Sequence, residues 1–430
     1  MRRIKQRIGE FRSEIARAGV FKNSIYVTIS KVFSSLTNLI FMVYSVNLLT
    51  KPENGQFQYY LGAFPVILAI AEFGLPSALV KYMAPVTDQP KRIGSLLLAS
   101  LLLKIYALLV LLAIGLITLA FLNENSLIVI LLILGGFLAS FASYFESILV
   151  SFRNYLALSI WNPLPNLVRL GILVLLVSTG DSDIGYIDIM AVYCLGPIFV
   201  IGAFFFIAWK ENLVWFSEWK LIRQDQKHLA IFNSWALLAS IFAIVSDRLE
   251  IFFLKMYHGP EAVAEYGTTL QLFSGFVIIL SVLNSLVYPK LSRLVDSPEF
   301  RSFLVKSMLG GALMAILLFP GFFLGGLIME LLFRGNYSNS VPVFQMLYPN
   351  FLLQLVFAPL GMALYALGFP KMLAGLALLR LIFGLVLDNL LIPDFGTTGA
   401  ALSLLLGQIV SWLLLVGYFL ALFRNREQGN

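Results

Sequence analysis

Long apolar runs alternate with short polar connections along the whole chain. The runs fall at approximately 24–49, 56–82, 94–122, 126–152, 155–179, 185–209, 229–257, 262–289, 302–328, 341–367, 371–392 and 397–423. Each is near the ~20 helical residues that cross a hydrocarbon core ~30 Å thick. The pattern therefore predicts an all-α integral membrane protein with twelve transmembrane helices.

The connections sort by charge. One side receives Lys91 and Arg92, Arg153, the Lys210/Lys220/Arg223/Lys227 stretch, Lys290, Arg293, Arg301, Lys306, Lys371, Arg424 and Arg426, and the other little beyond Lys51 and Arg334. Lysine and arginine favour cytoplasmic loops, so both termini are expected in the cytoplasm. The opposite connections are only a few residues long, which leaves no room for a catalytic domain on that face. Residues 1–22 carry Arg2, Arg3, Lys5, Arg7, Arg12, Arg17 and Lys22 around Ile4, Ile8, Phe11 and Ile15. That spacing predicts a basic amphipathic helix lying on the cytoplasmic leaflet.

A parallel repeat organises the rest. Shifting the first half by 209 positions places Asn38 on Asp247, Phe57 on Tyr266, Phe64 on Phe273 and Lys81 on Lys290, and a shift of 211 places Arg169-Leu170 on Arg380-Leu381. Polar coincidences count most against so apolar a background. The expected plan is a six-helix N-lobe at 23–209, a cytoplasmic linker at 210–228 with Trp215, Phe216 and Trp219 at the interface, a six-helix C-lobe at 229–423 and a cytoplasmic tail at 424–430. The substrate path of repeat-built transporters lies between such halves.

Composition narrows the function. Of 430 residues, 59% are hydrophobic and 12% charged, with a mean hydropathy of +0.88, as in a polytopic membrane protein. A single cysteine, Cys194, and two histidines, His228 and His258, exclude a disulfide framework and a zinc constellation. No G-x-x-x-x-G-K-[ST], G-x-G-x-x-G or H-E-x-x-H motif is present, so neither ATP hydrolysis nor metal-assisted hydrolysis is expected. The net charge of +7 sits at the ends of apolar runs, which reads as membrane topology rather than as nucleic-acid binding. No cofactor is expected, and transport would draw on the membrane potential or an ion gradient.

The chemistry concentrates where charges fall at membrane depth. The run Phe232–Tyr257 carries Asp247, Arg248 and Glu250. Intramembrane charges are costly and usually face a bundle interior or a wet cavity. At helical spacing Asn233, Ala236, Ser240, Ala243, Asp247 and Glu250 share one side, so this helix should line a cavity; the plainer reading is a packing seam with an internal ion cluster. The first span carries a matching stripe of Ser24, Thr28, Lys31, Ser35, Asn38 and Ser45, although Lys31 could equally snorkel to the interface. Glu72, Lys104, Arg169 and Arg380 fall near the middle of their spans and Asp388 in the outer half of its own, giving candidates for the cavity or for ion pairs. Pro65, Pro76, Pro163, Pro165, Pro320 and Pro359 mark places where helices bend or break, and Gly321-x-x-x-Gly325 and Gly399-x-x-x-Ser403-x-x-x-Gly407 read as close-packing seams.

In the order of Gly55-Gln56-Phe57, Gly74-Leu75 and Ala78-Leu79-Val80-Lys81, then Asp247, Gly259, Glu261-Ala262-Val263 and Tyr266, the chain resembles the polysaccharide flippases of the multidrug/oligosaccharidyl-lipid/polysaccharide superfamily. Glu265 departs from the family's usual glycine there. The resemblance implies a bacterial inner-membrane protein that moves a polyprenyl-diphosphate-linked oligosaccharide, such as an O-antigen or lipopolysaccharide repeat unit, to the outer leaflet by alternating access of two lobes. Membrane lipids, and a polysaccharide polymerase with its assembly proteins, are the partners it implies. Asp247 is the motif match; Arg169, Arg248 and Arg380 are physical candidates for contacts to the diphosphate or acidic sugars. An inside-negative potential favours outward movement of an anion by about 2.3 kcal/mol per charge per 100 mV. A drug or organic-cation exporter, a membrane-embedded polymerase or ligase of lipid-linked sugars, and a non-transporting scaffold are the competing readings.

Overall fold

The computed structural model describes residues 26–121, 124–179, 184–202, 219–295 and 297–428. The basic segment 1–22, the linker up to residue 218 and the side chains of Asn233 and Ala236 lie outside the described residues. Among the described residues the secondary structure is helical, with no strand.

The first half contains α1 (Tyr26–Leu48), α2 (Lys51–Glu72), α3 (Leu75–Met83), α4 (Pro90–Phe121), α5 (Ser126–Ser151), α6 (Tyr155–Trp161), α7 (Leu164–Ser178) and α8 (Tyr186–Leu195). The second contains α9 (Trp219–Ser246), α10 (Leu249–Leu272), α11 (Ser274–Leu294), α12 (Glu299–Leu318), α13 (Gly325–Phe333), α14 (Val341–Ala366) and α15 (Pro370–Gln428). Local chemistry sets the starts. The Glu53 carboxylate accepts the Thr50 N–H at 3.1 Å and its hydroxyl at 2.6 Å, and Asn125 and Asn154 accept from the first-turn amides of α5 and α6, satisfying donors that a helix leaves open. Pro76 and Pro165 lie in the first turns of α3 and α7, where a missing N–H costs nothing. Pro65 and Pro359 are carried inside α2 and α14.

Nine helical stretches among the described residues are long and apolar enough to cross a membrane, where the sequence pattern predicts twelve spans. The difference has a physical cause. The stretches Ser240–Leu294 and Lys371–Arg424 hold 55 and 54 residues, which at ~1.5 Å per residue would extend ~80 Å, more than twice a bilayer core. Each is broken by a glycine with positive φ, Gly259 at 79° and Gly396 at 54°, a conformation that side chains disfavour. The stretch Tyr186–Gly202 is shorter. From Trp219 onward the linker is helical and continuous with α9.

The surface is apolar as a lipid environment requires: Leu309, Leu313, Ile316 and Leu317 stand more than half exposed along α12. Large apolar patches of this kind mark membrane or partner contact. Inside, Leu75, Leu97, Tyr144 and Trp161 belong to one core of the first half, and Phe41, Phe57 and Leu132 to another. The second half is built on Tyr266, Phe273, Leu347 and Leu355 with Val46 of α1 among them, and on Leu291, Phe300 and Phe419. Gly321 and Gly325 do form a seam, where a Cβ would meet the Tyr348 hydroxyl and the Phe344 ring of α14.

The halves are stitched at the end of the bundle that carries Gly259. There Gly55 of α2 lies against the Pro260 carbonyl so closely that a Cβ would overlap it. Asn54 donates to Thr268 at 2.8 Å and to Tyr337 at 2.7 Å, Asn47 donates to the Leu332 carbonyl at 2.9 Å, and Lys51 pairs with Glu265 at 2.5 Å. At the opposite end, buried Asp225 of α9 pairs with Arg92 at 2.7 Å and accepts from Ser95 at 2.6 Å, which docks α9 onto α4.

Candidate functional site

The charged run that the sequence reads as one helix is interrupted. α9 ends at Ser246 and α10 begins at Leu249, with Arg248 between them at φ −129°, ψ −1°. The interruption separates side chains that an unbroken helix would stack. Asp247 is 52% exposed, whereas Glu250 is 3% exposed. The expectation of one continuous polar face through both residues is corrected accordingly.

Asp247 meets Arg380 of α15, with Oδ1 2.6 Å from Nη2. The pair lines a cavity of ≈ 250 Å³ together with Arg248, Gln271, Ser274, Asn350 and Gln354, against Phe273, Phe351 and Leu404. Two guanidinium groups face one carboxylate, and Arg248 has no ion-pair partner among the described residues. The lining therefore carries one guanidinium more than it has carboxylates, with amides and a hydroxyl around it. Planar guanidinium groups suit phosphate and carboxylate oxygens, and the amide groups can both donate and accept toward sugar hydroxyls.

Behind this wall lie two buried carboxyl groups. Glu250 is within electrostatic reach of Asp388, Arg380 and Asp247. Asp388 of α15 is fully buried, with Ser403 beside it. Glu250 Oε2 and the Tyr266 hydroxyl have no hydrogen-bond partner among the described residues, and the Asp388 carboxyl has none within hydrogen-bond distance there, with the Ser403 hydroxyl as its neighbour. Buried polar groups are normally paired, and two adjacent buried carboxylates require a neutralising proton or cation.

The remaining sequence candidates sit in the first half, and none lines this cavity. Arg169 is buried among backbone and amide groups: Nε donates to the Tyr193 carbonyl at 2.9 Å, Nη1 donates to Asn166 at 2.9 Å, and the guanidinium lies 3.8 Å from the centre of the Tyr193 ring. Asn166 in turn donates to Ser34, and Asn162 to Ser30. This ladder fastens α7 to α1 through Ser30 and Ser34 rather than through the Ser35 side of the predicted stripe. Lys104 is buried, with Nζ 2.9 Å from the Ser140 hydroxyl and 3.0 Å from its carbonyl; Glu72 lies within electrostatic reach of it without forming a salt bridge. Lys31 is exposed and Asn38 half-buried in an uninterrupted α1, unlike Asp247, its partner in the repeat alignment.

Four polar lining residues escaped the sequence reading: Gln271, Ser274, Asn350 and Gln354. Asn350 and Gln354 stand four apart in an otherwise apolar run, which is the spacing of one helix face and would have found them.

Comparison with known proteins gives this geometry a context. The sequence profile of a family described as polysaccharide biosynthesis protein matches residues 20–295. A Shigella flexneri protein named for O-antigen transport is 29% identical over 195 residues, covering 44% of this chain and 46% of its own length. A Haloferax volcanii protein named as a low-salt glycan biosynthesis flippase is 22% identical over 218 residues, covering 49% and 46%. The match thus spans about half the length of each of these two relatives. Among solved structures, a lipid II flippase in an inward closed conformation superposes with a TM-score of 0.66 at 14% identity, over 92% of this chain and 87% of its own. An inward-facing multidrug resistance transporter described as of the MOP superfamily superposes with a TM-score of 0.65 at 14% identity, over 93% and 97%. The fold is shared equally by glycan-lipid and drug transporters, so the fold does not choose between them.

Proposed function

Because this chain belongs to the polysaccharide biosynthesis protein family, we propose that it is a flippase for lipid-linked oligosaccharides, and that Arg248 and Arg380 receive the diphosphate of the substrate. The observation that carries the reading is the excess of guanidinium over carboxylate in the cavity at the α9–α10 break. An exporter of organic cations needs the opposite balance on its cavity wall. The names of the Shigella and Haloferax relatives point the same way.

In this reading the end bearing Lys91, Arg92 and the linker is cytoplasmic, as the lysine and arginine bias requires. The twelve predicted spans follow if the chain reverses at Gly259 and Gly396 and crosses once at Tyr186–Gly202. The stitched Gly259 end is then the outer gate in its closed state, and the substrate head enters from the cytoplasmic leaflet. Asp247 holds Arg380 when the cavity is empty, and an arriving diphosphate competes for the guanidinium. Glu250 and Asp388 carry the coupling proton or cation, because one neutralising charge between two buried carboxyl groups removes their mutual repulsion. The binding energy of that charge then depends on how the second half is packed.

Equilibrium binding of geranyl diphosphate, whose short chain keeps it in solution, tests the reading. Wild type is expected to bind and the Arg248→Gln/Arg380→Gln double variant to lose that binding. Retention of geranyl diphosphate by the double variant, or binding of tetraphenylphosphonium in its place by the wild type, contradicts the proposal and favours a cation exporter.

A further inference from the structure

A second cavity lies between the two halves. It is a slot of ≈ 330 Å³ lined by Tyr59 and Ile67 of α2, Leu111 of α4, Val129 of α5, Val245 of α9 and Phe252 of α10. Its volume is at the lower end of the roughly 300–1,000 Å³ usual for small-molecule sites. Nearly every lining group is apolar, and the exception is at one end. There the Tyr60 hydroxyl donates to Glu124 at 2.5 Å, and Lys255 lies 3.4 Å from the centre of the Tyr59 ring and 5.2 Å from that of Tyr60. Lys255 Nζ is 3.9 Å from Glu124 Oε1, beyond hydrogen-bond length, while Tyr60 holds the other Glu124 oxygen. The lysine therefore sits beside the polar end of the slot, over the Tyr59 ring and opposite Glu124, without a hydrogen bond to that carboxylate.

The slot neighbours the charged cavity across the break between α9 and α10. Val245, which lines the slot, accepts the backbone N–H of Arg248, which lines the cavity, at 3.0 Å. Lys255 follows Arg248 by seven residues along α10, ~10 Å at 1.5 Å per residue. Lys255 is also four residues before Gly259 and so close to the gated end. A lysine that can exchange its Glu124 partner for a phosphate, beside an apolar slot, matches an anionic head and a hydrocarbon chain.

We propose that this slot holds the hydrocarbon chain of the lipid-linked substrate on its way out, with Lys255 taking the diphosphate after the arginines release it. The proposal rests on the flippase reading above and adds a second station to it. Occupation of the slot wedges α2 against α10, the contact that must open for the head to leave.

Photolabelling of the full-length protein in proteoliposomes, with a polyprenyl diphosphate bearing a diazirine on its chain, tests this. Labels are expected in the 59–67, 129–133 and 245–252 segments. Ala63→Phe, which fills the slot, should lower them about tenfold with geranyl diphosphate binding unchanged. Lys255→Gln should lower labelling by the diphosphate several-fold and leave labelling by an uncharged polyprenol probe as it was. Equal labelling by diazirine phosphatidylglycerol would overturn the proposal in favour of a bulk-lipid site, as would labels spread along the lipid-facing side of α12. Loss of geranyl diphosphate binding in wild type with the slot labels intact would sink the flippase reading and not the slot; slot labels absent with geranyl diphosphate still bound would do the reverse.

Discussion

Arg380 and Asp247 meet at 2.6 Å although 133 positions separate them in the chain. Their pairing is made where α9 gives way to α10, and it leaves Arg248 as the unmatched charge of the cavity wall. The two residues should therefore respond differently to neutral substitution. Arg380→Ala removes a cation and exposes a carboxylate to an anionic substrate, so binding of geranyl diphosphate should weaken by roughly 10- to 100-fold, as the loss of a charge-assisted hydrogen bond of about 1.5–3 kcal/mol dictates. Asp247→Asn frees Arg380 and should hold or raise affinity. Isothermal titration of purified protein checks both.

Glu250 and Asp388 should separate coupling from recognition. Glu250→Gln or Asp388→Asn removes one of two buried charges, and neutral replacements at such sites are often tolerated or stabilising. Thermal unfolding of either variant is expected to match or exceed wild type. The dependence of transport on an imposed sodium or proton gradient should be lost. Unchanged gradient dependence in both variants would exclude these carboxyl groups as the coupling site.

Gly55 packs directly on the Pro260 carbonyl at the Gly259 end, the end proposed as the outer gate. Any side chain there collides with the Pro260 carbonyl, and backbone cannot yield as a flexible side chain can. Gly55→Leu should hold α2 away from α10. A cysteine placed at Tyr337, in a background with Cys194→Ala, is expected to react faster with an impermeant maleimide in Gly55→Leu than in the parent. Equal rates would mean that this contact does not gate access.

Asp225 anchors the linker end. Its carboxylate takes a salt bridge from Arg92 and a hydrogen bond from Ser95 while almost wholly buried. Asp225→Ala leaves Arg92 and Ser95 without their acceptor and should destabilise the protein by about 1.5–3 kcal/mol, seen as a lower melting temperature in detergent. Arg92, one-third exposed, can turn to water, so Arg92→Gln should cost less.

Much of this architecture is written in the apolar runs. Their lengths predict the long helices, because lipid leaves backbone groups no partner but their own helix, while the helical stretch from Trp219 to residue 228 lies outside every apolar run. The turns at Gly259 and Gly396 fall in the short connections His258-Gly259-Pro260-Glu261 and Pro393-Asp394-Phe395-Gly396 that separate predicted spans, and each breaks its helix at a single glycine. The site was legible in its charged members and not in its pairing. Asp247, Arg248, Glu250, Arg380 and Asp388 stand out because charge is rare at that depth, yet only the break after Ser246 decides that Asp247 faces the cavity and Glu250 the interior. Arg169 and Lys104 look equivalent to Arg380 in the sequence. They are consumed by carbonyls and by the Asn166 and Ser140 side chains, and such partners carry no sequence signal.

The most direct test of the central claim is translocation of a labelled polyprenyl-diphosphate oligosaccharide in proteoliposomes, with wild type, Arg380→Ala and Asp247→Asn compared at matched protein levels. Flipping by wild type and its loss in Arg380→Ala are expected, with flipping kept in Asp247→Asn. Flipping undiminished in Arg380→Ala, or no flipping by wild type across several oligosaccharides and imposed ion gradients, would contradict it.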